Sequence, residues 1–363
     1  EYFKSGEEAF GSILKDLRSA EKFIFMEYFI IGSGVMLDQI LDILKEKVKH
    51  GVVVRIIYDD FGSINAIPPH FIKEMESIGI QTRRFNPYKP MLSVIMNDRD
   101  HRKILVIDGR VAHTGGYNIA DEYINKKIRF GYWKDAGIRV EGECVNSFTT
   151  MFLEMWNYIN KDNAVHDEFL NPHNTFSQSE ECGFVQPFCD SPLEHDDVGE
   201  NLYVSIISRA KKYVYSFTPY LILGTELSHA MISAARSGVD VRIVVPKIPD
   251  KKLIYLQTKA NFRPLIEAGA RIYLYTPGFI HSKCIVADDD TAIVGTCNLD
   301  FRSMYWNFED FVYMYRTQCI GKIKEDAIET FAVSEEVYEE STNDISFAGR
   351  LLQSILQLFA PLL

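Results

Sequence analysis

Two stretches of sequence, HRKILVID at residues 101–108 and HSKCIVAD at residues 281–288, decide the fold. Each has the spacing H-x-K-x4-D, with an apolar run typical of a buried strand between the Lys and the Asp. Each is followed at the same offset by a glycine segment, Gly115–Asn118 (GGYN) and Gly295–Asn298 (GTCN). A chain of this composition would contain roughly 0.13 accidental copies of the spacing, so two copies in register indicate an internal duplication.

The segments that flank the two motifs repeat as well. A helix followed by an apolar strand, then a helix that ends in Gly before the next strand, occurs twice. The paired segments are ILKDLRSAEKFIFMEYFII (13–31) with IISRAKKYVYSFTPYLIL (206–223), KHGVVVRII (49–57) with RSGVDVRIV (236–244), and SIGIQTRRF (77–85) with EAGARIYLY (267–275). Helices alternating with short buried strands predict an α/β fold with two mixed, mostly parallel sheets flanked by helices. The two halves are expected to be related by a pseudo-two-fold axis.

The repeat also predicts the domain organisation. Residues 1–160 form the first half, the polar segment 161–181 is the linker, and residues 182–346 form the second half. The tail 347–363 (FAGRLLQSILQLFAPLL) has apolar residues at helical spacing, so we expect a helix there. Packing against the core and contact with a membrane surface are both open for this helix.

Composition narrows the classes of function. The formal charge of −11 and the sequence pI of about 5.4 disfavour a protein that grips a long polyanion such as nucleic acid. The six cysteines show no C-x-x-C spacing, so a zinc or redox pattern is not indicated and reduced thiols are expected. No apolar run reaches the length of a membrane span, although a chain that begins at Glu1 rather than Met is expected to be a fragment.

The motif residues suit covalent phosphoryl chemistry. On a strand, residues two apart point to the same face, so His101 and Lys103, like His281 and Lys283, reach one pocket. One neutral imidazole can attack phosphorus while the other donates a proton to the leaving alkoxide. The ammonium groups, with the amides of the two asparagines that end the glycine segments, can stabilise charge on the phosphate oxygens. No metal and no cofactor is needed. A His and a protonated Lys are a poor ligand pair for a cation, and no G-x-S-x-G elbow indicates a serine hydrolase.

With these motifs the chain resembles the phospholipase D superfamily, whose signature is the duplicated H-x-K-x4-D (HKD) motif. It is most similar to the bacterial cardiolipin synthases within that superfamily. The narrower resemblance is carried by YDDFGS (58–63), DRDHRKILVIDG (98–109), GGYNIADEY (115–123), YWKDAGIRVEG (132–142), FTPY (217–220), GFIHSKCIVAD (278–288) and VGTCNLDFRSMYWNFE (294–309). It covers nearly the whole chain and implies a duplicated phospholipase D-like fold.

The resemblance also implies roles for individual residues. The catalytic set would be His101, Lys103 and Asp108 with His281, Lys283 and Asp288, and the substrate phosphate would be bound by Asn118, Asn298, Gly116 and Thr296. His101 would be the nucleophile and His281 the acid and base. Seven residues beyond each His, the two aspartates are expected to anchor a loop by hydrogen bonds rather than to meet substrate.

An acidic residue downstream of each His is expected to orient it. Glu309, 28 residues after His281, matches in the second half. Arg129 occupies the same offset in the first half, so Asp135 is the candidate there. Arg302 and Asn307 could contact a lipid headgroup or form a buried structural pair.

The function that the resemblance implies is transesterification between two phosphatidylglycerol molecules through a phosphohistidine, with release of glycerol. Hydrolysis, or transfer to another alcohol, uses the same chemistry and is the alternative; a nuclease is disfavoured by the acidic balance. The implied partners are an anionic phospholipid and a membrane surface, without nucleic acid. The implied location is the bacterial cell membrane, with the catalytic region facing the cytoplasm. The sequence leaves the oligomeric state open.

Overall fold

A computed structural model describes residues 1–87, 98–170, 183–194, 196–342 and Gln353. The predicted tail helix therefore lies, apart from Gln353, outside the described residues, as does most of the predicted linker. The strands are β1 (Tyr2–Phe3), β2 (Phe23–Tyr28), β3 (Val53–Asp59), β4 (Gln81–Phe85), β5 (Arg99–Asp100), β6 (Lys103–Ile107), β7 (Val111–Gly115), β8 (Tyr132–Lys134), β9 (Gly137–Glu141), β10 (Phe184–Asp190), β11 (Tyr213–Phe217), β12 (Asp240–Pro246), β13 (Arg271–Tyr275), β14 (Gly278–Ile280), β15 (Cys284–Ala287), β16 (Thr291–Gly295), β17 (Asn307–Tyr315) and β18 (Ser334–Val337).

The helices alternate with these strands. They are α1 (Gly6–Arg18), α2 (Val35–Lys49), α3 (Asp60–Ser63), α4 (Phe71–Ser77), α5 (Val145–Asn160), α6 (Val198–Arg209), α7 (Thr225–Arg236), α8 (Lys252–Ala260), α9 (Phe262–Glu267), α10 (Phe301–Tyr305), α11 (Cys319–Ala332) and α12 (Glu339–Thr342). Short 3-10 helices cover Asp121–Ile124 and Asp167–Phe169. The four glycines predicted to stop helices (Gly51, Gly79, Gly238 and Gly269) all have positive φ angles, as a left-handed helix end requires.

The duplication is visible in the sheet order. Within the described residues, the first sheet runs β1-β9-β7-β6-β2-β3-β4 and the second runs β10-β17-β16-β15-β11-β12-β13-β18, so β2, β3, β4, β6 and β7 correspond to β11, β12, β13, β15 and β16. Helices flank both sheets, and the predicted duplicated α/β fold with two mixed sheets is confirmed.

The expectation of mostly parallel pairing is wrong in detail. Only β2-β3-β4 and β11-β12-β13 pair in parallel within each sheet, and the strands that follow each His-x-Lys pair antiparallel. The reason is a tight hairpin after each motif. Asp108 and Gly109 both have φ near +60°, and only three residues separate Ile107 from its partner Val111. Antiparallel strands are the ones that such short turns connect.

Two short strands cross between the halves. Strand β5 of the first half pairs in parallel with β17 of the second, and β14 of the second half pairs in parallel with β8 of the first. One buried apolar cluster likewise contains residues from both halves, among them Phe25 and Val106 with Val286 and Met314. The halves therefore share a core and exchange strands, which places the ends of the two His-x-Lys segments side by side.

Candidate active site

The exchanged strands set the position of each catalytic His. Asp100 on β5 lies opposite Phe308 on β17, so the next residues along, His101 and Glu309, are neighbours. Ile280 on β14 lies opposite Lys134 on β8, and the next residues there are His281 and Asp135. Backbone hydrogen bonds hold both junctions: the His101 N–H donates to the Phe308 carbonyl at 2.9 Å, and the His281 N–H donates to the Lys134 carbonyl at 2.7 Å.

Each imidazole is paired with a buried carboxylate from the other half. Nδ1 of His101 lies 2.9 and 2.8 Å from the two carboxylate oxygens of Glu309, and Nδ1 of His281 lies 2.9 Å from Oδ2 of Asp135. Both carboxylates are fully buried. A carboxylate at Nδ1 favours the tautomer in which that nitrogen donates and Nε2 is the nucleophile or base. Nδ1 of His281 has a second neighbour, because Nζ of Lys283 also lies 2.8 Å from it.

The orienting pairs are therefore exchanged relative to the sequence prediction, which matched each His with a carboxylate of its own half. The 28-residue offset between His281 and Glu309 does not apply in the first half. The connection from Asn118 to Asp135 is six residues longer than the one from Asn298 to Glu309. The strand register shows the equivalence. Asp135 precedes the partner of Gly115 by two residues, just as Glu309 precedes the partner of Gly295. Asp135, and not Arg129, is thus the counterpart of Glu309.

Both histidines line one cavity of about 340 Å³, which the amides of Asn118 and Asn298 also border. Asn118 is fixed, since its Oδ1 accepts from the Ile30 N–H at 2.9 Å and its Nδ2 donates to the Tyr123 hydroxyl at 2.7 Å. Oδ1 of Asn298 is buried and has no hydrogen-bond partner among the described residues. The structure thus brings the two halves of the predicted phosphate site together.

The two motif lysines are buried beside these histidines. Nζ of Lys103 donates to the His101 carbonyl and Nζ of Lys283 donates to the His281 carbonyl, each at 2.5 Å. Burial lowers the pKa of Lys103 to about 8, against the opposing effect of Glu309, and lowers the pKa of Lys283 to about 7. A phosphate anion in the cavity would favour the charged form of both groups.

Gly116 and Thr296, which are predicted to bind the substrate phosphate, lie against the orienting carboxylates. Neither is among the described residues that line the cavity. The Thr296 hydroxyl is buried and donates to Glu309 at 2.5 Å, and a Cβ on Gly116 would lie 2.0 Å from Oδ1 of Asp135. The two positions therefore support the orienting carboxylates, one by a hydrogen bond and the other by leaving room.

Asp108 and Asp288 anchor loops by hydrogen bonds, as their distance from the His predicts. The Asp108 carboxylate accepts from the backbone N–H groups of residues 21–23 at 2.7–2.8 Å. The Asp288 carboxylate accepts from those of residues 211–213 at 2.7–3.0 Å. Each aspartate thus ties its hairpin to the start of the neighbouring strand, β2 or β11, and neither lines the part of the cavity that the structure describes.

The two His–carboxylate pairs differ in their electrostatics. Burial, together with the charges of Lys103 and Lys283, holds the pKa of His101 well below its usual range. Burial also lowers the pKa of His281, to about 4, although Asp135 opposes this. Burial raises the pKa of Glu309 to about 7, whereas Asp135 keeps a lowered pKa in spite of its burial, because His281 and Lys283 favour its charged form.

Sequence reasoning missed several aromatic and charged residues of the cavity wall. The ring of Phe29 contacts that of His101, with centroids 5.2 Å apart, and the rings of Tyr123 and Trp133 contact that of His281 at 5.6 and 5.3 Å. Phe61, Tyr220, Asp250 and Lys251 also line the wall, as do Arg302 and Asn307, which the sequence had proposed. The sequence feature that could have found these residues is their position after a strand. The carboxyl ends of β2, β3, β11 and β12 all face the site.

Comparison with known proteins identifies the family. The chain matches the family described as "Cardiolipin synthase, PLD-like domain" over residues 13–156 and 203–331, which include both motifs and both orienting carboxylates. The chain belongs to this family. It is a phosphatidyltransferase of phospholipids, and the predicted enzyme class is confirmed.

Relatives match over nearly the whole chain. An uncharacterised protein of Streptococcus mutans is 48% identical over 100% of the chain and 78% of its own length. A cardiolipin synthase of Alkalihalophilus pseudofirmus is 38% identical, and one of Geobacillus kaustophilus is 37% identical; each match covers 99% of the chain and 71% of the relative.

Among solved structures, the phosphatidylserine synthase of Haemophilus influenzae has a TM-score of 0.73 and covers 100% of this chain and 93% of its own. The polyphosphate kinase of Porphyromonas gingivalis has a TM-score of 0.56, covering 98% of this chain and 55% of its own. At 16% and 11% sequence identity, both likenesses show the fold alone. In the part of the chain that the structure describes, no helix has the length and apolar character needed to cross a membrane.

Proposed function

We propose that the chain transfers the phosphatidyl group of one phosphatidylglycerol to a hydroxyl of a second, forming cardiolipin and releasing glycerol. The observation that carries the proposal is the pair of imidazoles on one cavity, each held by a buried carboxylate of the opposite half. Two such groups are what a double displacement needs, since one forms the covalent intermediate while the other moves protons. The relatives named cardiolipin synthase support the choice of lipid.

In the first step, Nε2 of His101 attacks the phosphorus of the donor lipid. A P–N bond forms, the P–O bond to the headgroup glycerol breaks, and the departing alkoxide takes a proton from Nε2 of His281. The bound phosphodiester brings a negative charge that offsets the charge of Lys283, so substrate binding favours the proton on His281. Asp135, with its lowered pKa, stays ionised and stabilises that imidazolium.

In the second step, Nε2 of His281 removes the proton from a hydroxyl of the second phosphatidylglycerol. The resulting oxygen attacks the phosphohistidine, the P–N bond breaks, and His101 is regenerated. Lys103 and Lys283 neutralise charge on the non-bridging oxygens, and the amides of the two cavity asparagines are placed to support them.

The electrostatic difference between the pairs supports the assignment of His101 as nucleophile. A nucleophile must keep its lone pair, and the lowered pKa of each histidine keeps both rings neutral before substrate binds, so the difference lies in their carboxylates. Glu309, with a pKa raised to about 7, offers less fixed negative charge to hold a proton on its His than Asp135 offers to His281. The proton-carrying role therefore suits His281.

The proposed membrane contact lies beside the cavity mouth. Ile128 is 83% exposed, and it stands in a loop with the exposed cations Lys126, Lys127 and Arg129, the last of which lines the cavity. A basic loop with a protruding apolar side chain suits the surface of an anionic bilayer. We place this surface on the cytoplasmic face of the bacterial membrane, where it would present lipid headgroups to the site.

The test is to incubate the chain with phosphatidylglycerol in detergent micelles and to analyse the products by mass spectrometry. Cardiolipin and free glycerol in equal amounts support the proposal, and both should be lost in His101→Ala. Phosphatidic acid without cardiolipin would make the enzyme a hydrolase, and a new phosphatidyl ester with an added alcohol alone would make it a transferase of another kind. Cleavage of single-stranded DNA that is lost in His101→Ala would replace the lipid assignment with a nuclease.

A further inference from the structure

The two sides of the catalytic cavity differ in chemistry. The segment that follows β3 in the first half, the short helix α3, contributes Phe61 and Gly62 to the wall, beside Phe29. The corresponding loop after β12 in the second half contributes Asp250 and Lys251. The central strands of the two sheets occur in the same order, so this departure from the repeat places an aromatic ring on one side of the cavity and an ammonium beside a carboxylate on the other.

Lys251 is a cation on the second-half side of the cavity, where its charge opposes the burial that raises the pKa of Asp300. Its side chain is exposed, its Nζ lies 5.2 Å from the centre of the Tyr220 ring, and it forms no ion pair with any described residue. Asp250, next to it in sequence, instead accepts a hydrogen bond from the Tyr220 hydroxyl at 2.6 Å. By contrast, NH1 of Arg129 at the cavity rim lies 3.5 Å from Glu122.

The proposed reaction places two anionic phosphodiesters in this cavity at once. The buried Lys103 and Lys283, held beside the histidines, serve the phosphorus that is transferred. An accepting phosphatidylglycerol carries its own phosphodiester three carbons from the attacking hydroxyl, whereas water, glycerol or another simple alcohol carries none. A cation set apart from the motif lysines but within the same cavity is what the second anion requires.

We propose, on the basis of the proposed function, that Lys251 binds the phosphodiester of the accepting phosphatidylglycerol and thereby selects an anionic lipid over water or a neutral alcohol. The neighbouring Asp250 carboxylate, fixed by Tyr220, is placed to accept a hydrogen bond from the glycerol of the same headgroup. An ammonium beside a carboxylate matches the anion and the polyol of that headgroup together. Lys251 is also close enough to the reacting centre for its charge to add to burial and the motif lysines in lowering the pKa of His101.

The experiment compares two acceptors that compete for the same phosphatidyl-enzyme. The chain is incubated with phosphatidylglycerol in detergent micelles that also contain radiolabelled glycerol. Label entering phosphatidylglycerol reports transfer to a neutral acceptor, and cardiolipin reports transfer to the anionic one. Both products require the same donor and the same two histidines, so their ratio isolates recognition of the acceptor.

In Lys251→Gln we expect cardiolipin formation to fall about tenfold while glycerol exchange changes less than about twofold, since a lost charged contact costs that order of affinity. Lys251→Arg should keep most of the cardiolipin activity. Lys252→Gln, which removes the adjacent exposed charge outside the cavity wall, is the matched control and should behave as wild type. Raising the salt concentration should lower the wild-type ratio towards that of Lys251→Gln.

An equal fall in both products, or an unchanged ratio in Lys251→Gln, would overturn the assignment of Lys251. A wild-type chain that exchanges glycerol but makes no cardiolipin would instead refute the proposed function, and the acceptor site with it. The two failures are distinguishable because glycerol exchange measures the histidine chemistry without an anionic acceptor.

Discussion

The exchange of carboxylates between the halves predicts which variants should behave alike. If Asp135 serves His281, then Asp135→Asn should share the defect of His281→Ala. If Glu309 serves His101, then Glu309→Gln should share the defect of His101→Ala. The two amide variants keep the size of the side chain and remove the charge, so each tests one contact at 2.8–2.9 Å.

The size of the defect follows from burial. Both carboxylates are fully buried, and a charge-assisted hydrogen bond in such a place contributes about 1.5–3 kcal/mol. We therefore expect each amide variant to reduce kcat on phosphatidylglycerol by about 10- to 150-fold. Glu309→Gln should be the milder of the two, because the pKa of Glu309 is raised to about 7 and its carboxylate is only partly ionised near neutral pH.

The assay replaces the headgroup glycerol by p-nitrophenol, which leaves as a stable anion without taking a proton. The burst of p-nitrophenolate then reports the first step alone. Loss of the general acid no longer slows that step, so His281→Ala and Asp135→Asn should recover to within about fivefold of wild type. His101→Ala and Glu309→Gln should stay impaired, since a better leaving group replaces neither the nucleophile nor the carboxylate that orients it.

The opposite grouping of the variants would contradict the exchange of carboxylates between the halves. Recovery of Glu309→Gln together with His281→Ala, while Asp135→Asn stays impaired with His101→Ala, would show that each carboxylate serves the His of its own half. The comparison does not depend on which His is the nucleophile, because exchanging those roles would exchange the behaviour of both members of each pair.

Four further outcomes are expected. Gly116→Ala should lower kcat roughly 100-fold by displacing the carboxylate 2.0 Å from the new Cβ, while Gly11→Ala, where a Cβ meets nothing within 4 Å, should keep full activity; equal rates in steady-state assays would contradict this. Asp288→Ala should reduce the free energy of unfolding in urea by about 2 kcal/mol with little change in kcat, and a large loss of kcat at unchanged stability would return this residue to the catalytic set. The value of kcat/KM should fall as the pH rises through about 7, because the buried ammonium of Lys283 then loses its proton. In Lys283→Arg the pH profile should show this fall at a higher pH. Ile128→Glu should reduce activity on anionic vesicles about tenfold but not activity in micelles, and an equal loss in both would remove this loop from the membrane contact.

Much of the fold could be predicted because short sequence patterns mark the repeated helices and strands. Glycines at helix ends and the apolar runs of β3 and β12 indicate strand–helix units without any tertiary information. The antiparallel pairing of β6 and β7 could also have been predicted, since Asp108-Gly109 between two apolar runs is a strong hairpin signal. This signal outweighs the general preference for parallel pairing in α/β folds. The crossing of β5 and β14 into the opposite half could not be predicted, because strands of two and three residues are too short to show a periodicity.

The site divides in the same way. Residues within the motif are fixed by spacing along one strand, so His101 and Lys103 could be assigned from the sequence. The partner of His101 depends on how the two halves dock, and a count along one half led to the wrong carboxylate. Lys251 could not be predicted for another reason. The loop after β12 departs from the repeat, and no motif marks that loop.

The central claim is that histidines from opposite halves share one phosphoryl transfer, His101 as the nucleophile at phosphorus and His281 as the acid and base. The most direct measurement uses the p-nitrophenyl ester of phosphatidic acid with His281→Ala, in which the first step proceeds and the second is slow. Mass spectrometry of the quenched enzyme should find one phosphatidyl adduct, on the peptide that contains His101, and none in His101→Ala. An adduct on any other residue, or release of p-nitrophenolate without any adduct, would contradict the account.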